Sequence, residues 1–123
     1  MKKKLIAAGF LALLPLSAAS AMDVATFLQK ADALEKKGMM ALFSSDYKLL
    51  KAEVVRASEQ LRAERVAAKA AGKPQAYCPT PGGKGLGSDE ILKAFRTIPP
   101  AQRARIDVKA ALKALLVKKY PCR

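Results

Sequence analysis

The chain has 123 residues, enough for one small domain, and carries a formal net charge of +13 with no histidine or tryptophan. The absence of histidine excludes a Ser-His-Asp or Cys-His catalytic arrangement and removes the commonest general base at neutral pH. Two cysteines without a histidine also make a poor zinc site. The composition therefore argues against an enzyme and predicts neither a metal nor a cofactor site.

Residues 1–21 have the order of a secretory signal peptide. A methionine and three lysines form a basic start, residues 5–16 are an apolar stretch, and a small-x-small cleavage site ends at Ala21. The apolar stretch is too short to serve as a stable bilayer anchor. We expect cleavage after Ala21, which leaves Met22 first in a single exported domain, residues 22–123, with no transmembrane anchor. The expected location is an oxidising compartment, the bacterial periplasm.

Two cysteines, Cys78 and Cys122, remain after that cleavage. An even number of cysteines in an oxidising compartment predicts a disulfide, and no C-x-x-C redox motif is present. The bridge would close a loop of about 45 residues and restrict the unfolded chain by about 4 kcal/mol. Its predicted role is structural.

The domain stays strongly basic without the leader, because losing three lysines lowers the net charge only from +13 to +10. Such a charge would suggest nucleic acid in a cytosolic protein, but the predicted export argues against that partner. Three explanations stay open: an acidic protein partner, the anionic surface of the cell envelope, or solubility alone. Because the basic residues are spread along the chain and not gathered in one tract, we give solubility as much weight as the two binding explanations together.

A first helix is predicted from the cap at Asp23 to Lys37, because apolar residues recur there at helical spacing. Gly38 follows at a position suited to a left-handed backbone. Residues 39–43 are a short apolar segment, either one helical turn or a stretch packed against the core.

The longest helix is predicted from Ser44 or Ser45 to about Ala71. An apolar seam with three- and four-residue spacing marks its buried face, and charged residues fill the remaining faces. The seam comprises Tyr47, Leu50, Val54, Ala57, Leu61 and Ala68.

An irregular segment rich in proline and glycine, residues 73–87, follows that helix. A helix capped from Ser88, a short turn starting at Pro100 and a final helix from Asp107 to just before Pro121 complete the chain. No run with a period of two is long enough to make a sheet. The predicted fold is therefore all-α, a small bundle of four to five helices stapled by one disulfide.

Neither the carboxylates nor the glycine-rich stretch indicates a site. Glu53, Glu59 and Glu64 lie near arginines on predicted polar faces, where surface pairing is worth roughly 0.3 kcal/mol. Residues 82–88 are rich in glycine and precede a helix, but they match neither phosphate-binding motif. A flexible connector is the favoured interpretation, with Lys84 as the candidate contact for an anion.

The tail of the chain has a cysteine before a proline-containing loop, a double proline between two helices and a terminal Pro-Cys. The segments are Tyr77-Cys78-x-x-Pro81, Ile98-Pro99-Pro100-x-x-Arg103 and Lys119-Tyr120-Pro121-Cys122. This order resembles the Rap/Tai family of periplasmic immunity proteins, which protect bacteria from type VI secretion amidase effectors. The resemblance implies an exported helical domain in which Cys78 and Cys122 form the disulfide and Pro99 or Pro100 marks the last turn.

The resemblance is confined mainly to the C-terminal half. The first half of the family usually carries a further cysteine and a Gly-Tyr-x-x-Gly-like segment, and residues 22–76 contain neither. For this reason the resemblance assigns no effector-contacting residue in this chain.

The first functional hypothesis is an exported periplasmic binding protein whose partner is a toxin effector with an acidic surface. The alternative is a non-enzymatic structural or stress-response protein of the envelope that binds anionic surfaces or unfolded chains. Neither hypothesis involves nucleic acid, and formation of a homodimer stays open.

Overall fold

The computed structural model describes residues 21–123, so residues 1–20 of the predicted leader lie outside it. Within this range the chain forms five α-helices and one 3-10 helix, and no named strand. The bounds are α1 Val24–Lys37, the 3-10 helix Gly38–Phe43, α2 Ser45–Ala70, α3 Ser88–Thr97, α4 Pro100–Arg103 and α5 Val108–Lys119. The prediction of an all-α bundle with one disulfide is confirmed. None of these helices combines the length and the apolar character that crossing a bilayer requires.

Side-chain caps begin three helices at the predicted residues. Asp23, Ser44 and Asp107 each accept a hydrogen bond from a backbone N–H in the first turn, at 2.7, 3.2 and 2.7 Å. A cap of this kind contributes about 1 kcal/mol. The predicted cap at Ser88 is wrong, because Gly87 takes the cap position and no side chain bonds to that first turn.

The helices pack around one core, in which the rings of Phe27 and Phe95 meet edge to face with centroids 5.2 Å apart. The α1 helix contacts α2 and α3, and α5 also contacts both of them. The most completely buried large side chains are Val24, Leu61, Phe95, Val108 and Leu112. Because these residues come from α1, α2, α3 and α5, four helices share the core.

The starts of α1 and α5 lie side by side. Val24 donates its N–H to the carbonyl of Ile106, and Val108 donates its N–H to the carbonyl of Met22, both at 2.9 Å. This isolated antiparallel bridge holds the two helix caps together. Met22, the residue expected to be first after cleavage, is therefore tied to the final helix.

The disulfide between Cys78 and Cys122 joins the irregular segment after α2 to the end of the chain. Cys78 also donates its backbone N–H to the carbonyl of Tyr120 at 2.8 Å. Next to it in sequence Tyr77 is buried, with the guanidinium of Arg65 placed 5.7 Å from the centre of its ring. The first part of the predicted loop is therefore fixed to α2 and to the C-terminus, whereas its glycine-rich part is mostly exposed.

A surface ion pair links Glu90 of α3 to Lys119 of α5, with 2.9 Å between the carboxylate oxygen and Nζ. The hydrogen bond from Lys119 lowers the pKa of Glu90 below its ordinary value of 4.5, and the same bond raises the pKa of Lys119. Since the folded-state pKa of Glu90 is the lower one, the stability that the pair contributes is present above about pH 4.5. It is lost as the pH falls through the folded-state value.

We expect Glu90→Gln to remove this part of the acid dependence. The difference in free energy of unfolding between wild type and variant should shrink toward zero as the pH falls below 4.5 and through the lowered pKa of Glu90. Urea denaturation at each pH measures that difference. Glu59→Gln, which changes an exposed carboxylate of α2, is the matched control. A wild-type advantage over Glu90→Gln that does not change with pH would contradict the prediction.

Candidate binding surface

Exposed apolar side chains are concentrated in the 3-10 helix between α1 and α2. Met39 and Phe43 are 81% and 80% exposed, and Met40 and Leu42 are more than half exposed. Ala41 is the residue of this segment that packs against the core. We name Met39, Met40, Leu42 and Phe43 the 39–43 patch. Of the two sequence-based alternatives, the helical turn is confirmed, and packing against the core is limited to Ala41.

The backbone on both sides of the 39–43 patch explains why its side chains point outward. Gly38 ends α1 with a φ of 57°, which glycine adopts far more readily than other residues, and this changes the direction of the chain. Ser44 then caps α2 and donates its N–H to the carbonyl of Ala41 at 3.0 Å. A link this short between two packed helices leaves most of its side chains without a core surface to contact.

Lysines without an ion pair flank the 39–43 patch in sequence. Lys36 and Lys37 lie in the last turn of α1, Lys48 and Lys51 lie near the start of α2, and all four are exposed. None of the ion pairs within residues 21–123 includes them. We call these four exposed lysines, which precede and follow the patch in sequence, its basic rim.

The acidic residues in the same part of the fold already have basic partners. Asp46 accepts a hydrogen bond from Lys30 at 3.1 Å, and Arg96 donates to Asp32 and Glu35 at 2.9 and 2.7 Å. The hydrogen bonds to these two carboxylates raise the pKa of the Arg96 guanidinium, and the bond to Glu35 has the larger effect. The unpaired charge near the 39–43 patch is therefore positive.

A groove of about 190 Å³ beside the second half of α2 has three charged residues in its lining, Glu64, Arg65 and Lys113. Glu64 pairs with Lys109 of α5, and Arg65 lies over the ring of Tyr77. A second, more open groove on α3 is lined in part by Glu35 and Arg96, which are paired with each other. Asp89 also lines the second groove, but Glu35 there is bound to Arg96, so neither groove offers the two free carboxylates that acid–base chemistry would need in a chain without histidine.

Glu53 is the exception among the carboxylates that the sequence placed on the surface. It is only 9% exposed, and its Oε1 accepts the backbone N–H of Met22 at 3.2 Å. Its other oxygen pairs with Arg56, three residues along the same helix. The predicted arginine partner is present, but the surface location is wrong, because the start of the domain lies against this face of α2.

The other residues singled out from the sequence lie apart from the 39–43 patch. Cys78 and Cys122 form the disulfide described above. Lys84 is exposed, and its backbone carbonyl accepts a hydrogen bond from the hydroxyl of Tyr120 at 2.7 Å. Within the described range, no three His, Cys, Asp or Glu residues are grouped so that they could hold a metal ion.

No protein-family model, curated protein or solved structure matches the chain. The 39–43 patch and the lysines beside it are therefore the features from which its function is inferred. Sequence patterns did not identify this patch as a site, because an uncharged apolar segment between two helices looks the same whether it is buried or exposed.

Proposed function

We propose that this protein is an exported, non-enzymatic helical binding protein of the periplasm, and that it binds an effector protein with an acidic surface. In keeping with the resemblance of its C-terminal half to the Rap/Tai family, the proposed partner is a type VI secretion amidase that the protein neutralises. The observation that carries this proposal is the 39–43 patch, in which four exposed apolar side chains lie in one short segment.

The composition of the 39–43 patch suits the centre of a protein interface. Methionine and phenylalanine are enriched in such interfaces, and flexible methionine side chains adapt to the shape of a partner. Met39, Met40 and Phe43 are each at least 69% exposed, so a partner can bury most of their surface. Fully burying one such side chain is worth about 1.5–3 kcal/mol, so a few of them can dominate an interface.

The basic rim supports an acidic partner. Lys36, Lys37, Lys48 and Lys51 would surround the apolar centre with positive charge that no acidic side chain of the described fold pairs with. Charge complementarity of this kind speeds association and orients the two proteins before the apolar centre is buried.

The anionic surface of the envelope is the alternative partner, and the same lysines favour it. Binding to a lipid surface is strengthened by an amphipathic helix that has apolar residues along one face and basic residues along the other. Here the most exposed apolar residues share one short segment, whereas basic residues occur in all five α-helices. A confined apolar patch with a basic rim suits a pocket on one protein better than an extended lipid surface.

Two features support the location and the absence of catalysis. Residues 1–21 have the order of a signal peptide, and disulfides form and persist in oxidising compartments such as the periplasm. The chain contains no histidine, and the grooves described above gather no pair of free carboxylates.

The direct test is inhibition of an amidase effector by the exported protein. The effector of the same bacterium would be purified and titrated with the protein in about 150 mM salt, where surface charges are partly screened. We expect a one-to-one complex and loss of amidase activity. Phe43→Ser should weaken the complex at least tenfold, because the ring is expected to lie in the buried centre. Val66→Ser, which removes a half-exposed apolar side chain farther along α2, should leave the affinity unchanged.

Two results would contradict the proposal. If the wild-type protein does not inhibit the amidase but binds anionic lipid vesicles in a salt-sensitive way, the envelope alternative replaces it. If Phe43→Ser and Val66→Ser weaken the complex equally, the 39–43 patch is not the binding surface.

A further inference from the structure

The backbone of Met22 is held by two different helices. Its N–H is donated to Oε1 of Glu53 in α2 at 3.2 Å, and its carbonyl accepts the N–H of Val108 at the start of α5 at 2.9 Å. Ala21, by contrast, is exposed. Within residues 21–123, the hydrogen bonds that tie the start of the chain to other helices therefore begin at Met22, the residue that the predicted cleavage would make the first.

Among the charged residues of the described range, 21–123, Glu53 alone is buried. Taking a carboxylate out of water is costly unless charged or polar partners replace the water that it loses. One of its oxygens faces the partly exposed Arg56, and the other receives only the neutral amide of Met22. The carboxylate would therefore be stabilised further by a positive charge at the nitrogen of Met22.

Hydrolysis of the Ala21–Met22 bond by a signal peptidase supplies that charge. Water adds across the amide, with its hydroxyl going to the carbonyl carbon of Ala21 and its proton to the nitrogen of Met22. At neutral pH the new acid loses a proton and the new amine gains one, so Ala21 leaves as a carboxylate and Met22 begins with an ammonium group.

We infer that the α-ammonium group of processed Met22 forms an ion pair with the buried carboxylate of Glu53, so that removal of the leader stabilises the junction of α1, α2 and α5. This inference rests on the export and cleavage that the proposed function includes, and not on the identity of the partner.

The existing geometry needs no rearrangement for this ion pair. The nitrogen keeps its place, and its hydrogen bond to Oε1 of Glu53 becomes charge-assisted, a type about twice as strong as a neutral one. The other ammonium hydrogens can be hydrated, because the position that Ala21 leaves is exposed. The hydrogen bond from Val108 to the carbonyl of Met22 keeps the charged end of the chain against α2.

A double-mutant cycle on the exported protein tests the pairing. One partner change inserts Gly-Ser between Ala21 and Met22, which moves the ammonium group two residues away but preserves the amide at Met22. The other change is Glu53→Gln. The insertion should shift the equilibrium constant of unfolding about tenfold toward the unfolded state in the wild-type background and leave it nearly unchanged in Glu53→Gln. Glu59→Gln, on the exposed side of α2, should keep the full effect of the insertion.

A second measurement does not depend on whether Glu53→Gln folds. An amine-acetylating reagent, used near neutral pH with peptide mapping by mass spectrometry, reports how readily the first residue reacts. Met22 of the processed protein should react at least threefold more slowly than the leading glycine of the insertion form, because an ammonium group held by a carboxylate gives up its proton less readily. Equal reaction rates would overturn the inference, as would an insertion effect of equal size with Glu53 and with Gln at that position.

The intact mass of the exported protein separates this inference from the binding proposal. A chain that starts at Met22 is the expected result. A chain that starts at another residue would overturn the ion pair but leave the amidase test unaffected, and failure of amidase inhibition would leave the double-mutant cycle unaffected.

Discussion

Replacing both Cys78 and Cys122 by serine is expected to lower the free energy of unfolding by about 4 kcal/mol. The bridge joins residues that are 44 positions apart, and the entropy that a closed loop of this length removes from the unfolded chain corresponds to that amount. Small domains are stable by only about 5–15 kcal/mol, so the loss would be a large share of the total. Urea denaturation followed by far-ultraviolet circular dichroism measures it.

The bridge also maintains contacts between the end of the chain and α2. Cys78 donates its N–H to the carbonyl of Tyr120, and the neighbouring Tyr77 is buried beside Arg65. Reduced wild-type protein is the control for the serine substitutions, since it loses the covalent bond and keeps both sulfur atoms. A loss below about 1 kcal/mol in both samples would show that the native contacts alone hold this end of the chain.

Phe95→Ala is expected to destabilise the protein by about 3–5 kcal/mol. Phe95 is fully buried in α3, and its ring packs edge to face on that of Phe27 in α1. The substitution removes this ring contact between the two helices and leaves a cavity that close-packed neighbours fill only in part. The same denaturation measurement gives the size of the effect.

Phe43→Ala is the matched control, because it removes the same atoms from a ring that is 80% exposed. Its free energy of unfolding should stay within about 0.5 kcal/mol of wild type. The contrast between the two phenylalanines isolates the effect of burial. If Phe43→Ala destabilised the fold as strongly as Phe95→Ala, Phe43 would belong to the core, and the 39–43 patch could not be a binding surface.

The helix ends show how far local chemistry carries a prediction. Asp23, Ser44 and Asp107 are predictable as caps because each bonds to a backbone N–H only two or three residues away. Ser88 marks the limit of such patterns. Which of two adjacent residues is the cap depends on backbone torsions, and the extended backbone of Gly87, with φ of −77° and ψ of 154°, places the helix start one residue earlier.

Apolar spacing predicts which helix face is buried more reliably than it predicts the burial of each residue. In α2, Leu50 and Leu61 are buried as expected, whereas Tyr47 of the same seam is exposed. Tyr47 belongs to the first turn of α2, which follows the 3-10 helix in sequence. Burial there depends on whether another helix reaches that end of α2, which no local pattern specifies.

By itself the sequence determines the helical content, most helix starts and the disulfide, because capping and periodicity act over a few residues and two cysteines allow only one pairing. Only the tertiary structure decides that Glu53 is buried against Met22 and that the 39–43 patch is exposed. Both outcomes depend on how α1, α2 and α5 are placed against one another. Burial is set by neighbours that are distant in sequence, so the same local pattern can end in the core or on the surface.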